Sequence, residues 1–220
     1  MERPFVWNTA VNSYDTDMNS VVSPQNMVKY LMEAAIEHTE RTEYPVKRLF
    51  EMKRGWVVIN WVIKVEEYPA YRDELKISTW AKYGSTLQAT RFFTVENNGR
   101  TVAEAASRWA FIDLEKRHAV RFPREMEDAY CCDRPAPFDP GRFVIPAENE
   151  ENMISEKSLA VRRSETDSNG HTNNIRYVEW AVDDVPDDIY YGYIPSEIRV
   201  LYRKECREGD RVNVKTYMRN

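Results

Sequence analysis

"YDTDMNSVVSPQNMVKYLMEAA" (Tyr14–Ala35) and "SETDSNGHTNNIRYVEWAVD" (Ser164–Asp183) are two versions of one phrase. Thr16, Asp17 and Asn19 stand against Thr166, Asp167 and Asn169, each 150 residues later, and a slip of three then sets Lys29 and Tyr30 against Arg176 and Tyr177. A second block follows in the same order. "VIKVEEYPAYRDELKISTW" (Val62–Trp80) lies 137 residues before "RVLYRKECREGDRVNVKTY" (Arg199–Tyr217), with Asp73 on Asp210, Ile77 on Val214 and Trp80 on Tyr217. Two matching blocks in one order point to a tandem duplication.

Within each copy the hydrophobic period changes from helical to extended. Ser23-Pro24 reads as an N-cap with Pro at N1, and Met27, Leu31, Ala34 and His38 recur at helical spacing. In the second copy Asn173 or Asn174 can cap, with Ile175, Val178 and Val182 facing inward. Strands are predicted over Gly55–Glu66, Glu74–Lys82, Thr86–Glu96 and Thr101–Asp113, and "ENNGR" between the last two reads as a hairpin turn. Ala103, Ala105, Ser107, Trp109 and Phe111 then share one face of the last strand. One helix on a long antiparallel sheet, made twice, gives an α+β protein.

"CCDRPAPFDPGRFVIPAENEEN" (Cys131–Asn152) has four prolines and an acidic run, which marks a linker. The expected organisation is therefore 1–130, a linker at 131–154, and 155–220. After Trp80 the first copy has two more strands, whereas the sequence ends three residues after Tyr217. The second sheet is thus expected to be two strands short, with an edge that something must cover.

Hydrophobic residues make up 42% and charged residues 30%, a balance that belongs to a folded protein and not a disordered one. The first twenty residues carry acids, Asn and Pro where a signal peptide needs an apolar run, and no stretch reaches the roughly 20 apolar residues of a membrane span. A cytoplasmic protein without a membrane span is expected. The three cysteines, Cys131, Cys132 and Cys206, make a poor disulfide framework, and there is no CxxC for a zinc ribbon. A net charge of -5 argues against nucleic acid as a partner.

The copies differ where chemistry would sit. Asp17 and Asn19 persist as Asp167 and Asn169, but Val21 stands in the place of His171, and Tyr68 and Pro69 in the places of Glu205 and Cys206. If the Glu205 strand passes beside the helix that begins near Asn173, the second copy holds the parts for acyl transfer to water. Asn169 and free N–H groups at the helix start would face a growing oxyanion. Glu205 would take a proton from water, and His171 would orient that water or donate a hydrogen bond. Asp167 would support Asn169 or His171 from behind.

These residues resemble the acyl-ACP thioesterases, which release fatty acids from acyl carrier protein in plant plastids and in bacteria. The likeness rests on "DSNGHTNNIRY", on "YRKEC" followed by a GD turn, and on "RWAFIDLEKRHAVRFP" (Arg108–Pro123), and it covers nearly the whole chain. It implies a tandem (double) hot-dog fold and a fatty acyl thioester whose chain lies in an apolar tunnel. It carries polarising and positioning roles to Asn169 and His171, the base to Glu205, and a supporting role to Asp167. Cys206 matches a residue also considered as a nucleophile and ranks lower, since a water activated by Glu205 needs no acyl-enzyme. Met27, Leu31, Trp56, Ile59 and Trp61 of the first copy are the expected lining of the chain pocket.

Blander readings are kept for the rest. His38 sits on the apolar helix face, and His118 in a basic turn. Tyr30 and Tyr177, taken as equivalent, look like core packing. Asp167 with His171 lacks a third ligand, so no metal and no cofactor is expected. Lys47, Arg48, Lys53, Arg54, Arg162, Arg163, Lys116 and Arg117 are candidates for docking acyl carrier protein, although charge runs are usually solvated faces. A homodimer is compatible with the sequence. Alternatives are a thioesterase acting on coenzyme A esters, a non-catalytic acyl-binding protein, and a dehydratase or hydratase of the same fold.

Overall fold

The computed structural model describes residues 3–83, 85, 87–167 and 169–219. Its elements run β1 (Phe5–Ala10), α1 (Pro24–Glu40), α2 (Val46–Glu51), β2 (Arg54–Val65), β3 (Glu74–Tyr83), β4 (Gln88–Asn97), β5 (Arg100–Asp113), β6 (His118–Ala119) and α3 (Glu125–Tyr130). They continue with β7 (Met153–Ala160), α4 (Asn174–Val182), α5 (Asp187–Gly192), β8 (Glu197–Leu201) and β9 (Arg211–Tyr217). Contacts divide the chain into two compact units. One runs to Gly141 and adds Ser196–Leu201; the other takes Arg142–Pro195 and the chain from Tyr202 on.

In the first unit the strands are ordered β1-β3-β4-β5-β2-β8, with β6 paired to β5, and every neighbouring pair is antiparallel. The four strands predicted here match β2 to β5 within two residues at each end. Thr86, the predicted first residue of β4, lies outside the described residues. The β4–β5 turn places Asn98 and Gly99 at φ 50° and 78°, the left-handed pair that a two-residue hairpin turn requires.

α1 begins as its sequence dictates. Ser23 is the extended N-cap and Pro24 the first helical residue, where a missing N–H costs nothing. Met27, Leu31, Ala34 and His38 are all buried, and the helix packs on β1 and β3. Burying a Met or Leu side chain contributes about 1.5–3 kcal/mol, so this stripe anchors the helix.

A β-bulge between Val58 and Asn60 sets the inner face of β2. Strict alternation would put Trp56 and Trp61 on opposite faces, since they are an odd number apart. The bulge brings both to one side, where Trp56 pairs with Phe111 and Trp61 with Ser107 in register. Trp56 then packs on Phe111, Phe122 and Tyr130, and Trp61 on Phe93 and Trp109. The proline-rich stretch after Tyr130 starts as part of this unit. Cys131 bridges to Ala81, and Cys132 is buried against Trp80, Phe92 and Ala106.

Besides the short β6, two strands have no counterpart in the sequence reading. β1 pairs with β3 and β7 with β9, in equivalent registers: Ala10 faces Glu74, and Ala160 faces Arg211. β8 departs from expectation in another way. The repeat assigns it to the sheet of the second copy, yet it hydrogen-bonds to β2 and belongs to the first unit. Val62 faces Arg199, its own repeat counterpart, so the two equivalent strands pair antiparallel about that position.

The second unit is smaller. Its β7 and β9 form a two-stranded sheet, and α4 packs on β9 with Val178 and Trp180 buried. Asp184 ends this helical segment as a buried carboxylate, accepting from Ser155 at 2.9 Å, Thr216 at 2.6 Å and Lys157 at 2.9 Å. The contacts of Lys157, Ser155 and Thr216 hold its carboxyl below the usual range although burial pushes it up.

Candidate active site

The two loops repeat bond by bond. Asp17 N–H donates to Val21 O at 2.9 Å, and Ser20 N–H to Asp17 O at 3.0 Å; Asp167 N–H donates to His171 O at 2.8 Å, and Gly170 N–H to Asp167 O at 3.0 Å. The Asp17 carboxylate accepts the N–H of Asn19 at 2.8 Å and of Val21 at 3.4 Å. Asp167 does the same for Asn169 at 2.8 Å and His171 at 3.2 Å. Ser20 and Gly170 hold the same left-handed backbone, at φ 63° and 73°, which glycine adopts without the strain a side chain brings.

The turn before β3 recurs before β9. Ala70 N–H donates to the Asp73 carboxylate at 2.8 Å, and Arg207 N–H to the Asp210 carboxylate at 2.8 Å. The two frames join through one shared bond: Val22 N–H to Pro69 O in the first copy, Thr172 N–H to Cys206 O in the second, both 2.8 Å.

On this common frame the second copy sets His171 where the first has Val21, and Glu205 where the first has Tyr68. His171 Nε2 lies 3.4 Å from Glu205 Oε2, with the imidazole 22% and the carboxylate 55% exposed, so solvent reaches the carboxylate while the imidazole beside it is largely sheltered. Arg207 Nη2 comes within 3.5 Å of the same Nε2. Arg207 went unnoticed in the sequence, although the 137-residue offset sets it against Ala70, itself the bridge partner of Val21. The Val21–Ala70 contact has thus become His171 beside Arg207.

The helix alignment needs correcting. The loop offset of 150 continues through both N-caps, Ser23 and Asn173, without a slip. Tyr30 Oη donates to Asp15 at 2.9 Å, and Trp180 Nε1 donates to Glu165 at 3.1 Å, so Trp180 is the counterpart of Tyr30. Tyr177 takes the place of Met27. It is not a bystander, because its hydroxyl oxygen accepts Cys206 N–H at 2.9 Å.

The remaining site residues fall as follows. Asp167 holds the backbone N–H groups of Asn169 and His171, not the imidazole ring, and Asn169 is exposed at the loop tip. The helix start is mostly spent: Asn173 N–H donates to Glu165 O at 2.9 Å, Arg176 N–H to Asn173 O at 2.9 Å, and Ile175 N–H to the Asn173 side chain at 3.1 Å. Three of the expected oxyanion donors there are thus already bonded, and the Asn169 amide offers a further donor on this loop. Cys206 is a half-buried free thiol.

Met27, Leu31, Trp56, Ile59 and Trp61 lie in the first unit, with Met27, Leu31 and Trp61 fully buried and Ile59 in the bulge of β2. Among the basic candidates, Arg54 is committed to Asp113 at 2.8 Å and Arg163 to Glu208 at 3.2 Å. Among the described residues no group of three His, Cys, Asp or Glu side chains could hold a metal ion, and no helix is long and apolar enough to cross a membrane.

A sheltered imidazole against an accessible carboxylate, with an amide donor nearby in sequence, is suited to activating water and stabilising a developing oxyanion. Residues 3–130 match the family model for the acyl-ACP thioesterase N-terminal domain, and residues 148–220 match that for the C-terminal domain. The chain is 24% identical over 222 residues to oleoyl-acyl carrier protein thioesterase 2, chloroplastic, of Arabidopsis thaliana, covering 92% of this chain and 60% of the relative. It is 23% identical over 214 residues to palmitoyl-acyl carrier protein thioesterase, chloroplastic, of Cuphea hookeriana, covering 92% and 52%. It therefore spans little more than half the length of these curated relatives. The solved structure of the 12:0-ACP thioesterase from Umbellularia californica superposes with a TM-score of 0.85 at 22% identity, covering 98% of this chain and 88% of that one, a likeness that speaks for the tandem hot-dog fold.

Proposed function

The chain belongs to the acyl-ACP thioesterase family, and we propose that it hydrolyses the thioester of a medium or long acyl chain on acyl carrier protein, releasing the free fatty acid. One observation carries this reading. On a duplicated frame whose backbone bonds agree within a few tenths of an ångström, Val21 and Tyr68 are replaced by His171 and Glu205, whose side chains meet at 3.4 Å.

In the reaction, Glu205 accepts a proton from water as its oxygen attacks the thioester carbon, and His171 holds that water in line. Negative charge grows on the former carbonyl oxygen, where the Asn169 amide donates a hydrogen bond. Collapse breaks the carbon–sulfur bond, and the proton held by Glu205 passes to the departing thiolate. Asp167 keeps the Asn169 and His171 backbone in place. Cys206 needs no covalent role, because water is the nucleophile. The chain pocket is assigned to Met27, Leu31, Trp56, Ile59 and Trp61, and the compartment to the cytoplasm, although the curated plant relatives are chloroplastic.

The test is thiol release from acyl carrier proteins loaded with a range of chains, and from the matching coenzyme A esters, by the parent and Glu205→Ala. Loss of the base is expected to lower kcat on the order of 10²-fold to 10⁴-fold. Parent-like turnover by Glu205→Ala would move the base elsewhere. Faster release from coenzyme A would change the carrier, and tight acyl binding without release would make the protein a binder.

A further inference from the structure

The contact between Tyr177 and Cys206 exists in one copy only, and both of its halves are missing from the other. Tyr177 Oη accepts Cys206 N–H at 2.9 Å. In the first copy Cys206 is replaced by Pro69, which has no N–H, and Tyr177 by Met27, which has no oxygen. The rest of the frame is common to both copies, including the bond that the carbonyl of Pro69 or Cys206 accepts. A hydrogen bond whose donor and acceptor occur only alongside His171 and Glu205 belongs with those residues.

We propose that Tyr177 is a positioning residue for Glu205, an inference that rests on the assignment of Glu205 as the base. The peptide between Glu205 and Cys206 is planar, so fixing its N–H also fixes the direction in which the Glu205 Cα enters it. Thr172 N–H holds the Cys206 carbonyl at 2.8 Å from the other side. With the backbone pinned at both groups, Glu205 reaches His171 through its own side-chain rotations alone.

Tyr177 is itself held. Its ring centroid lies 5.3 Å from that of Trp180 and 5.9 Å from that of Tyr202, and Tyr202 Oη donates to Asn174 O at 3.2 Å. Burial, and next the Cys206 side chain, push the Tyr177 hydroxyl above its usual pKa. The phenol therefore stays protonated through the neutral range and keeps a lone pair for the Cys206 N–H.

Tyr177→Phe in the full chain removes the oxygen and keeps the ring. A neutral hydrogen bond of about 1.4 kcal/mol is worth about tenfold. kcat for thiol release is expected to fall by about that factor, with KM within about twofold. The amide of Cys206, followed by NMR hydrogen exchange, should exchange about tenfold faster, while the Val161 amide, bonded to Asp210 O, keeps its rate. Val178→Ala serves as the control, because it thins the buried face of the same helix without touching the bond.

A kcat loss no larger than that of Val178→Ala, or unchanged exchange at Cys206, would overturn the proposal. If the parent releases no thiol, the functional assignment fails, and the exchange measurement still decides whether Tyr177 holds this segment.

Discussion

The duplication supplies its own control for the loop carboxylate. Asp17 and Asp167 each accept two backbone N–H groups, at 2.8 and 3.4 Å in the first copy and at 2.8 and 3.2 Å in the second. Replacing either by Ala leaves two N–H groups that water can still reach, so only the net value of each bond is lost. Bonds to a charged acceptor are worth about 1.5–3 kcal/mol, and solvent screening at this exposed loop lowers the pair to about 1–2 kcal/mol in all. At about 2–4 °C per kcal/mol for a chain of this size, Asp17→Ala and Asp167→Ala should lower Tm by similar amounts, a few degrees each.

Their activities should differ. Asp167 orders the backbone that carries His171, and about 1.4 kcal/mol of lost positioning is tenfold in rate, so Asp167→Ala should lower kcat about tenfold to thirtyfold. Asp17→Ala should stay within about twofold, because Val21 does no chemistry. Thermal melts and thiol release on the same preparations give both numbers. Equal kcat losses in the two variants would refute the reasoning, since the effect would then be one of stability alone.

Cys206→Ser should keep kcat within about tenfold of the parent if water attacks directly; a loss beyond about 10²-fold in thiol release would make the sulfur the nucleophile. His38 supplies a pH dependence of stability. It stacks on Phe5 at 4.9 Å and its Nδ1 accepts from Arg91 Nη1 at 3.0 Å, and burial, then the Arg91 charge, lower its pKa to about 3. The folded chain keeps His38 neutral while the unfolded chain takes up a proton near pH 6.5, so stability is full above that pH and is lost as pH falls toward about 3. Each pH unit in that window costs about 1.4 kcal/mol, so denaturant melts should show a loss of about 2 kcal/mol between pH 6.5 and 5. His38→Gln should flatten this slope, and a slope equal to the parent's would place the effect elsewhere.

Much of this protein is local and so was legible in its sequence. Ser23-Pro24 starts a helix, "ENNGR" turns a hairpin, and Met27, Leu31, Ala34 and His38 mark a buried face, because each depends on neighbours a few residues away. The duplication was legible for the same reason: Asp17 and Asp167 fold their loops with bonds to residues two to four places along. Comparing the copies then isolated His171 and Glu205 without any structure. What tertiary structure decided is pairing across long separations. β8 bonds to β2 and not to its own copy, because a strand edge selects its partner by the whole sheet's register, which no short window encodes. β1 and β7, edge strands with half-exposed faces, carried too weak an alternation to read. The correct helix offset appeared only when Tyr30 and Trp180 were seen to reach Asp15 and Glu165, and with it came Tyr177 at the back of the site. Arg207 likewise became part of the site only when its turn folded against the His171 loop, since 36 residues of chain separate two side chains that end 3.5 Å apart.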